Sequence, residues 1–187
     1  GILLLGLVAA GLLAIGFISM SNVGIVDVSA TQWTGLINPN GVAIGDYNND
    51  GLNDLAFTEL LADRVTVYKS DGTTVIKQWT GLINPHDVAI GDYNNDGLND
   101  LAFTEYVGPG AGRVTVYKSD GTTVIKQWTG LSNPEGVAIG DYDNDGLNDL
   151  AFTEFEADTV TVYYQPKSGT VARVAEPTIV TLRGTLT

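Results

Sequence analysis

Three acidic loops of nine residues recur in this chain, and their residue types suit the binding of a hard cation. The loops run from Asp46 to Asp54, from Asp92 to Asp100 and from Asp141 to Asp149. Each has Asp or Asn at positions 1, 3, 5 and 9 and glycine at position 6. Carboxylate and amide oxygens are calcium ligands, glycine permits the sharp turn, and the backbone carbonyl at position 7 adds another oxygen. The spacing therefore predicts calcium loops in which that carbonyl belongs to Leu52, Leu98 and Leu147.

An alternative is that the same loops are turns capped by their own Asp and Asn side chains, without a metal. Clustered carboxylates without a cation would repel one another. Because oxygens recur at ligand spacing in three copies, we expect about three Ca²⁺ ions, one in each loop. An EF-hand is disfavoured because its twelfth position requires Glu and carries Phe57, Phe103 or Phe152 here.

The loops belong to an internal repeat. The sequence QWTGLINP begins at Gln32 and at Gln78, and QWTGLSNP begins at Gln127. Each unit holds four strand signals separated by turns, and four strands in roughly 45–50 residues is the length of a propeller blade. In the first unit the predicted strands are Gly41–Asp46, Asp54–Glu59, Arg64–Lys69 and Thr73–Trp79.

The run IGDYNNDGLNDLAFTE resembles the FG-GAP/VCBS repeat of integrin-α-type β-propellers. The resemblance covers about residues 32–165, and in that family a D-x-[DN]-x-[DN]-G-x-x-D loop joins two strands of a blade and holds Ca²⁺. The side-chain ligands that it implies are Asp46, Asn48, Asp50 and Asp54; Asp92, Asn94, Asp96 and Asp100; and Asp141, Asp143, Asp145 and Asp149.

Residues 1–26 are predominantly apolar, and no charged residue precedes Asp27. Twenty residues of helix would reach about 30 Å, the thickness of a bilayer core. Three interpretations compete: a removable signal peptide, a membrane anchor, and a helix that bundles with copies of itself after a basic leader is removed. We favour the third, because Gly6, Ala10 and Ala14 form a stripe of small residues along one helix face.

This apolar segment resembles the N-terminal helix of type IV pilin-like subunits, especially the archaeal ones. The resemblance implies that the helix builds a filament core and that a β-rich domain decorates the outside. Bacterial type IV pilins carry an acidic residue near the start, where this chain has Leu5. This difference argues against the bacterial kind of assembly and leaves the archaeal-like kind open.

The predicted fold class is mainly β: an N-terminal hydrophobic α-helix followed by a β-propeller-like domain of three complete four-stranded repeats plus a partial one. The predicted domains are 1–26 and 27–187. Two fragments, Asn22–Thr34 and Thr178–Thr187, either join as the partial fourth blade or pair with the exposed edge of a neighbouring subunit.

Composition argues against several classes of function. The net charge of −13 disfavours nucleic-acid backbones and anionic membranes as partners. Without cysteine there are no disulfides, thiolate metal sites or cysteine nucleophiles, and with one histidine no Ser-His pairing is evident from spacing. We therefore predict no catalytic residues and no enzyme activity.

Other recurrent residues have structural interpretations. Trp33, Trp79 and Trp128 are expected to pack between adjacent sheets. His86 has no counterpart in the other units and is expected to be an exposed loop residue.

The AFTE segments end in glutamates that could bind a metal or a partner. We expect them instead to be charged strand ends that face water. They are Glu59, Glu105 and Glu154.

Together these features predict a structural subunit of an extracellular, cell-surface filament. It would form a homo-oligomer through its N-terminal helix, contact the membrane only before assembly, and expose a calcium-stabilised β domain. The alternative is a membrane-anchored adhesin or ligand-binding module of the cell surface, whose surface or carbohydrate ligand is not specified by the sequence.

Overall fold

The computed structural model describes residues 31–166, and all of the strands lie in the unit Thr34–Thr187. Within residues 31–166, eleven strands form three antiparallel sheets. They are β1 (Pro39–Gly45), β2 (Asp54–Glu59), β3 (Arg64–Tyr68), β4 (Val75–Thr80), β5 (Pro85–Gly91), β6 (Asp100–Glu105), β7 (Gly112–Tyr117), β8 (Val124–Leu131), β9 (Pro134–Gly140), β10 (Asp149–Glu154) and β11 (Thr159–Tyr163).

Each sheet is a meander of sequential strands, which we call a blade. The orders are β1-β2-β3-β4, β5-β6-β7-β8 and β9-β10-β11. Strand β1 lies against β5, and β5 lies against β9, so the first strands of neighbouring blades are side by side. This arrangement confirms the predicted repeat of blade-like units.

Neighbouring blades pack face to face through apolar side chains. We call the side of a blade that packs against the next blade its trailing face, and the opposite side its leading face. At the first interface the trailing face of blade 1 presents Tyr47, Ala56, Val65, Val67 and Trp79, and the leading face of blade 2 presents Val88, Ile90, Leu101, Phe103 and Tyr117.

The second interface repeats the first. Blade 2 presents Tyr93, Ala102, Val114, Val116 and Trp128, and blade 3 presents Val137, Ile139, Leu150, Phe152 and Tyr163. Because blade 2 is covered on both sides, all six residues of β6 are buried. The alternation of side chains along a strand therefore places apolar groups on two faces, each of which needs a partner.

Two tryptophans anchor these interfaces. The Trp79 ring lies 6.0 Å from Phe103 and 5.6 Å from Tyr117, between ring centroids. Trp128 lies 6.1 Å from Phe152. The expectation that the tryptophans pack between sheets is confirmed for Trp79 and Trp128.

The glutamates that end β2 and β6 do not face water, so that expectation is wrong for them. Glu59 is 1% exposed and Glu105 is 2% exposed. Each accepts hydrogen bonds from an arginine directly opposite on the next strand and from a backbone N–H. The sets are Glu59 with Arg64 and Ile37, and Glu105 with Arg113 and Ile83.

Burial raises the pKa of Glu59, but hydrogen bonds from Arg64 and Ile37 outweigh burial and make the net shift downward. In blade 3 the arginine position is Thr159, and Glu154 accepts a hydrogen bond from the backbone N–H of Ser132 at 2.8 Å. The partly buried Glu154 therefore keeps the backbone contact without the guanidinium.

The predicted fold class is wrong in its helix. Residues 31–166 contain strands and one 3-10 turn, Leu60–Ala62, and no α-helix among them, so the structure is mainly β. No helix in this range has the length and hydrophobicity needed to cross a bilayer. Residues 1–26, to which the helix was assigned, lie outside the described residues. The domain boundary at residue 26 stays a prediction.

Blades 1 and 2 have the four strands that were predicted, and blade 3 has three strands within the described residues, with the place of a fourth lying outside them. In blades 1 and 2 the turn before the fourth strand centres on Asp71 or Asp120, whose carboxylate accepts four hydrogen bonds from two following threonines. Blade 3 has Pro166 at this position, which offers no carboxylate. The partial fourth blade was assigned to segments that lie largely or wholly outside the described residues.

His86 is not in a loop, contrary to the prediction. It belongs to β5, its side chain is 16% exposed, and its Nδ1 lies 3.8 Å from a carboxylate oxygen of Glu135. Its backbone carbonyl accepts a hydrogen bond from the Thr58 hydroxyl across the blade interface. His86 therefore has a structural position in the blade array.

We predict that Arg113→Ala lowers the free energy of unfolding by about 2–4 kcal/mol, because it leaves the Glu105 carboxylate buried without its charged partner. Urea unfolding followed by tryptophan fluorescence at fixed calcium concentration measures the change. The control Thr129→Ala, at an exposed position of the neighbouring strand, should stay within about 0.5 kcal/mol. An Arg113→Ala protein as stable as this control would contradict the assigned role of the pair.

Candidate metal centres

The three acidic loops occupy the same place in each blade, between its first and second strands. Their bounding residues are paired in the ladder: Gly45 with Asp54, Gly91 with Asp100 and Gly140 with Asp149. Each loop is thus held at the end of an antiparallel pair, and all sequence-predicted ligands lie within the described residues.

The backbone at positions 4 and 6 folds each loop inward. Asn49, Asn95 and Asn144 have φ of 58°, 58° and 59°, and the position-6 glycines all have φ of 89°. Asparagine tolerates the left-handed region, and glycine adopts it without steric conflict. This local sequence therefore turns the chain so that side chains at alternate positions face the loop interior.

The first aspartate of each loop organises its backbone. The Asp46 carboxylate accepts hydrogen bonds from the N–H groups of Asp50 at 3.0 Å and Gly51 at 2.8 Å. Asp92 and Asp141 make the same two contacts in their loops. The side-chain capping weighed in the sequence analysis is thus present, and each carboxylate oxygen has a further lone pair for a cation.

The last aspartate of each loop is buried and hydrogen-bonds to the backbone just after the third strand of its blade. Asp54 is 1% exposed and accepts hydrogen bonds from the N–H groups of Tyr47, Asn48 and Ser70 at 3.1–3.2 Å. In the second loop, burial raises the pKa of Asp100 to about 6, with contributions from the charges of Asp96 and Asp92. A cation in the loop would favour the ionised form.

The third loop gathers its carboxylates most tightly. One oxygen each from Asp141, Asp143 and Asp149 lies within 4.8 Å of the others. Calcium–oxygen distances are about 2.3–2.6 Å, so two oxygens bound to one ion stand up to roughly 5 Å apart. The residues of this loop therefore fit a calcium ion as three of its ligands.

A lysine distinguishes the first two loops from the third. Lys69 Nζ lies 2.9 Å from Asp50 Oδ2, and Lys118 Nζ lies 2.9 Å from Asp96 Oδ2. Hydrogen bonds from these lysines lower the pKa of Asp50 and of Asp96. The corresponding residue in blade 3 is Tyr164. In the first two loops an ammonium group would thus compete with a bound metal ion for the position-5 carboxylate.

Adjacent loops are clamped together by an asparagine that the sequence analysis did not single out. The Asn99 side chain donates to the Asp46 carbonyl at 2.8 Å, and its backbone N–H donates to Asn49 Oδ1 at 3.1 Å. Asn148 makes the equivalent contacts with Asp92 and Asn95. The sequence feature that could have predicted these contacts is the recurrence of asparagine at position 8 of the loop, which is not one of the predicted ligand positions.

The role of the position-7 leucines as carbonyl ligands stays a prediction. Leu52 and Leu98 expose their side chains, and the backbone N–H of each donates to the preceding aspartate, Asp50 or Asp96, at 3.1 Å. Leu147 makes the same contact with Asp145 at 2.9 Å.

Comparison with protein families identifies these repeats. The family described as FG-GAP-like repeat matches residues 46–103 and 92–152, which together span more than half of the chain. The comparison with curated proteins gives no match.

We predict that the loops differ in calcium affinity and that the third is tightest, because it has four carboxylates and no lysine at the position of Lys69. Calorimetric titration should resolve one tighter and two weaker sites. Tyr164→Lys places an ammonium beside the third loop and should weaken the tight site by on the order of tenfold. Lys69→Met should tighten one of the weak sites.

The matched control for the lysine is Tyr164→Met, which removes the ring that lies 6.1 Å from Tyr142 without adding charge. It should leave the tight site unchanged. Equal weakening by both substitutions would show that the ring, and not the charge, governs affinity.

Proposed function

Because the chain belongs to the FG-GAP-like repeat family, we propose that it is a non-catalytic, extracellular module of the cell surface whose blade array is stiffened by calcium and displays a binding surface. FG-GAP-like repeats indicate an extracellular or cell-surface β-rich module. This agrees with the adhesin or ligand-binding module that the sequence analysis gave as the alternative to a filament subunit. The filament hypothesis depends on an N-terminal helix, and no observation on residues 31–166 supports it.

The observation that carries the proposal is the convergence of carboxylates in the third loop. The first two loops repeat its backbone turn and the hydrogen bonds of its first aspartate. Oxygen-rich loops of low or moderate affinity, with dissociation constants of roughly 10⁻⁴–10⁻³ M, suit surroundings rich in calcium. The acidic loops would then be neutralised outside the cell, where their mutual repulsion is removed.

The asparagine clamps connect each loop to the next blade. Asn99 and Asn148 bind backbone and side-chain oxygens of the preceding loop, so ordering one loop fixes an acceptor for the next. In this proposal calcium stabilises the contacts between neighbouring blades as well as the fold of each loop. A rigid array supplies the fixed spacing that a binding surface requires.

A non-catalytic role agrees with the residues available for chemistry. The chain has no cysteine, and its single histidine packs beside Glu135 and Tyr106. The carboxylates of the loops are engaged by backbone N–H groups and are assigned here to calcium. The bound ions are structural in this scheme.

We predict that millimolar calcium raises the melting temperature of the full chain over its value in chelator, by on the order of 10 °C if the three sites are filled. Binding to the folded state alone provides the stabilisation. Differential scanning calorimetry in calcium, in magnesium at equal ionic strength and in chelator measures it. Identical melting in all three would refute calcium stabilisation.

The matched variant carries Asp46→Asn, Asp92→Asn and Asp141→Asn. The amide oxygen can still accept one of the two backbone hydrogen bonds of each carboxylate, the amide nitrogen cannot accept the other, and the charge on one ligand of each loop is removed. This variant should lose part of its stability in chelator and most of the calcium-dependent increase. A variant that responds to calcium like the parent would show that the ions bind elsewhere.

We also predict that antibodies to the blade array label intact cells that produce the protein, and that protease added outside removes the label. A cytoplasmic protein in the same cells serves as the control for leakage. Labelling that requires permeabilised cells would contradict the cell-surface assignment.

A further inference from the structure

The two interfaces between blades are nearly copies of each other. They therefore show which side chains of a leading or trailing face are buried when a neighbouring blade is present. Leading-face valines are covered where a preceding blade exists: Val88 is 3% exposed and Val137 is 9% exposed. The corresponding Val42 of blade 1 is 63% exposed, and Ile44 beside it is 71% exposed. On the same face Phe57 is 5% exposed and Thr66 is 1% exposed, so the β1 edge of this leading face is the part that lacks a cover among the described residues.

Blade 3 presents the opposite surface. Its Tyr142 is 66% exposed, whereas the equivalent Tyr47 and Tyr93 are 2% and 6% exposed beneath the next blade. Val160 is 71% exposed, although Val65 in the same position of blade 1 is fully buried. The trailing face of blade 3 thus lacks its covering blade within the described part of the chain.

A knob and a notch make these two faces complementary. A Cβ atom added to Gly45 would lie 2.8 Å from Ile90 Cγ2, and one added to Gly91 would lie 2.9 Å from Ile139 Cγ2. Neither glycine has a positive φ, so close packing of the isoleucine explains the absence of a side chain. At Gly140 a Cβ atom would meet nothing within 4 Å. The isoleucine that matches this notch in the repeat is the exposed Ile44.

Polar groups are matched as well. Asn53, which is exposed, occupies the position from which Asn99 and Asn148 clamp the preceding loop. Its counterpart acceptors on blade 3 are the carbonyl of Asp141 and Oδ1 of Asn144. The hydroxyls of Thr58 and Thr104 donate across the two existing interfaces to backbone carbonyls, at 2.9 and 2.8 Å. Thr153 is the third member of that series.

From this complementarity we propose that the chain self-associates head to tail, with the leading face of blade 1 of one copy packed on the trailing face of blade 3 of a second copy. Ile44 of one copy fills the notch at Gly140 of the other, and Asn53 clamps the third acidic loop. This contact repeats the isoleucine–glycine and asparagine contacts of the two interfaces already built into the fold. It lacks the tryptophan that blades 1 and 2 contribute from their fourth strands, because blade 3 has no fourth strand among the described residues. Such an interface joins two different surfaces, so it generates a ring if the rotation closes and an open fibre if it does not.

Disulfide trapping with the full chain tests this arrangement, because the chain has no cysteine of its own. In the existing interfaces the added Cβ of Gly45 or Gly91 lies 3.1 Å from the isoleucine Cβ, within a few tenths of an ångström of the roughly 3.5–4.5 Å of a disulfide. A mixture of Ile44→Cys and Gly140→Cys proteins should therefore form a mixed-disulfide dimer under mild oxidation. The control mixture of Val124→Cys and Gly140→Cys, with Val124 exposed on the outer strand of blade 2, should not.

Sedimentation supplies the second measurement. Gly140→Leu fills an open notch and Ile44→Asp changes an exposed side chain, so both should keep the melting temperature of the parent. Each should raise the dissociation constant for self-association by roughly 30-fold or more. Val124→Asp should have no such effect.

Three outcomes would overturn the proposal. The first is no mixed disulfide above the control. The second is an intrachain disulfide in a monomeric protein that carries both Ile44→Cys and Gly140→Cys, which would show that one chain closes on itself. The third is a loss of monomer stability in Gly140→Leu or Ile44→Asp, which would show that residues 1–30 or 167–187 of the same chain cover these faces.

Discussion

The constraint on which this structure depends is that every blade has two apolar faces. A single four-stranded sheet whose strands carry valine, leucine and aromatic residues on both sides cannot remain folded in water with both sides exposed. Blade 2 meets the requirement, because Trp79 packs on its leading face and its own Trp128 packs against blade 3. The acidic loops, the buried glutamates and the asparagine clamps all lie at the margins of these apolar contacts. The face-to-face packing sets where the charged groups can be, and not the reverse.

Charge in this protein is handled by local pairing. Glu59 and Glu105 are nearly inaccessible to water, yet each lies opposite an arginine and accepts a backbone hydrogen bond. The first and last aspartates of each loop accept two or more backbone N–H groups, and in the first two loops the position-5 aspartate contacts a lysine. The third loop has no lysine at the equivalent position and, among the described residues, no following blade beside it. These two features and its fourth carboxylate distinguish it from the other two loops.

Much of the fold could be predicted from the repeat. The strand Asp54–Glu59 has its predicted bounds, and the other strands of blade 1 differ by two residues or fewer. The fourth strand begins at Val75 and not Thr73 because Asp71 holds the N–H groups of Thr73 and Thr74 in the turn. The burial of Glu59 could not be predicted from its own segment, since it depends on a cross-strand arginine. The helix assigned to residues 1–26 rested on an apolar run, and such a run indicates avoidance of water without specifying a backbone conformation.

The interchangeability of the blades has a consequence for how this array can change. Blade 2 contacts its neighbours through the same side chains that blades 1 and 3 present, so its removal would bring together a trailing face and a leading face that already fit. Insertion of another unit would do the same. Whole-unit duplication or deletion in the coding sequence can therefore lengthen or shorten the protein without a new packing solution, whereas a change of a few residues within a unit must be accommodated in a loop such as the one containing Gly108 and Gly110.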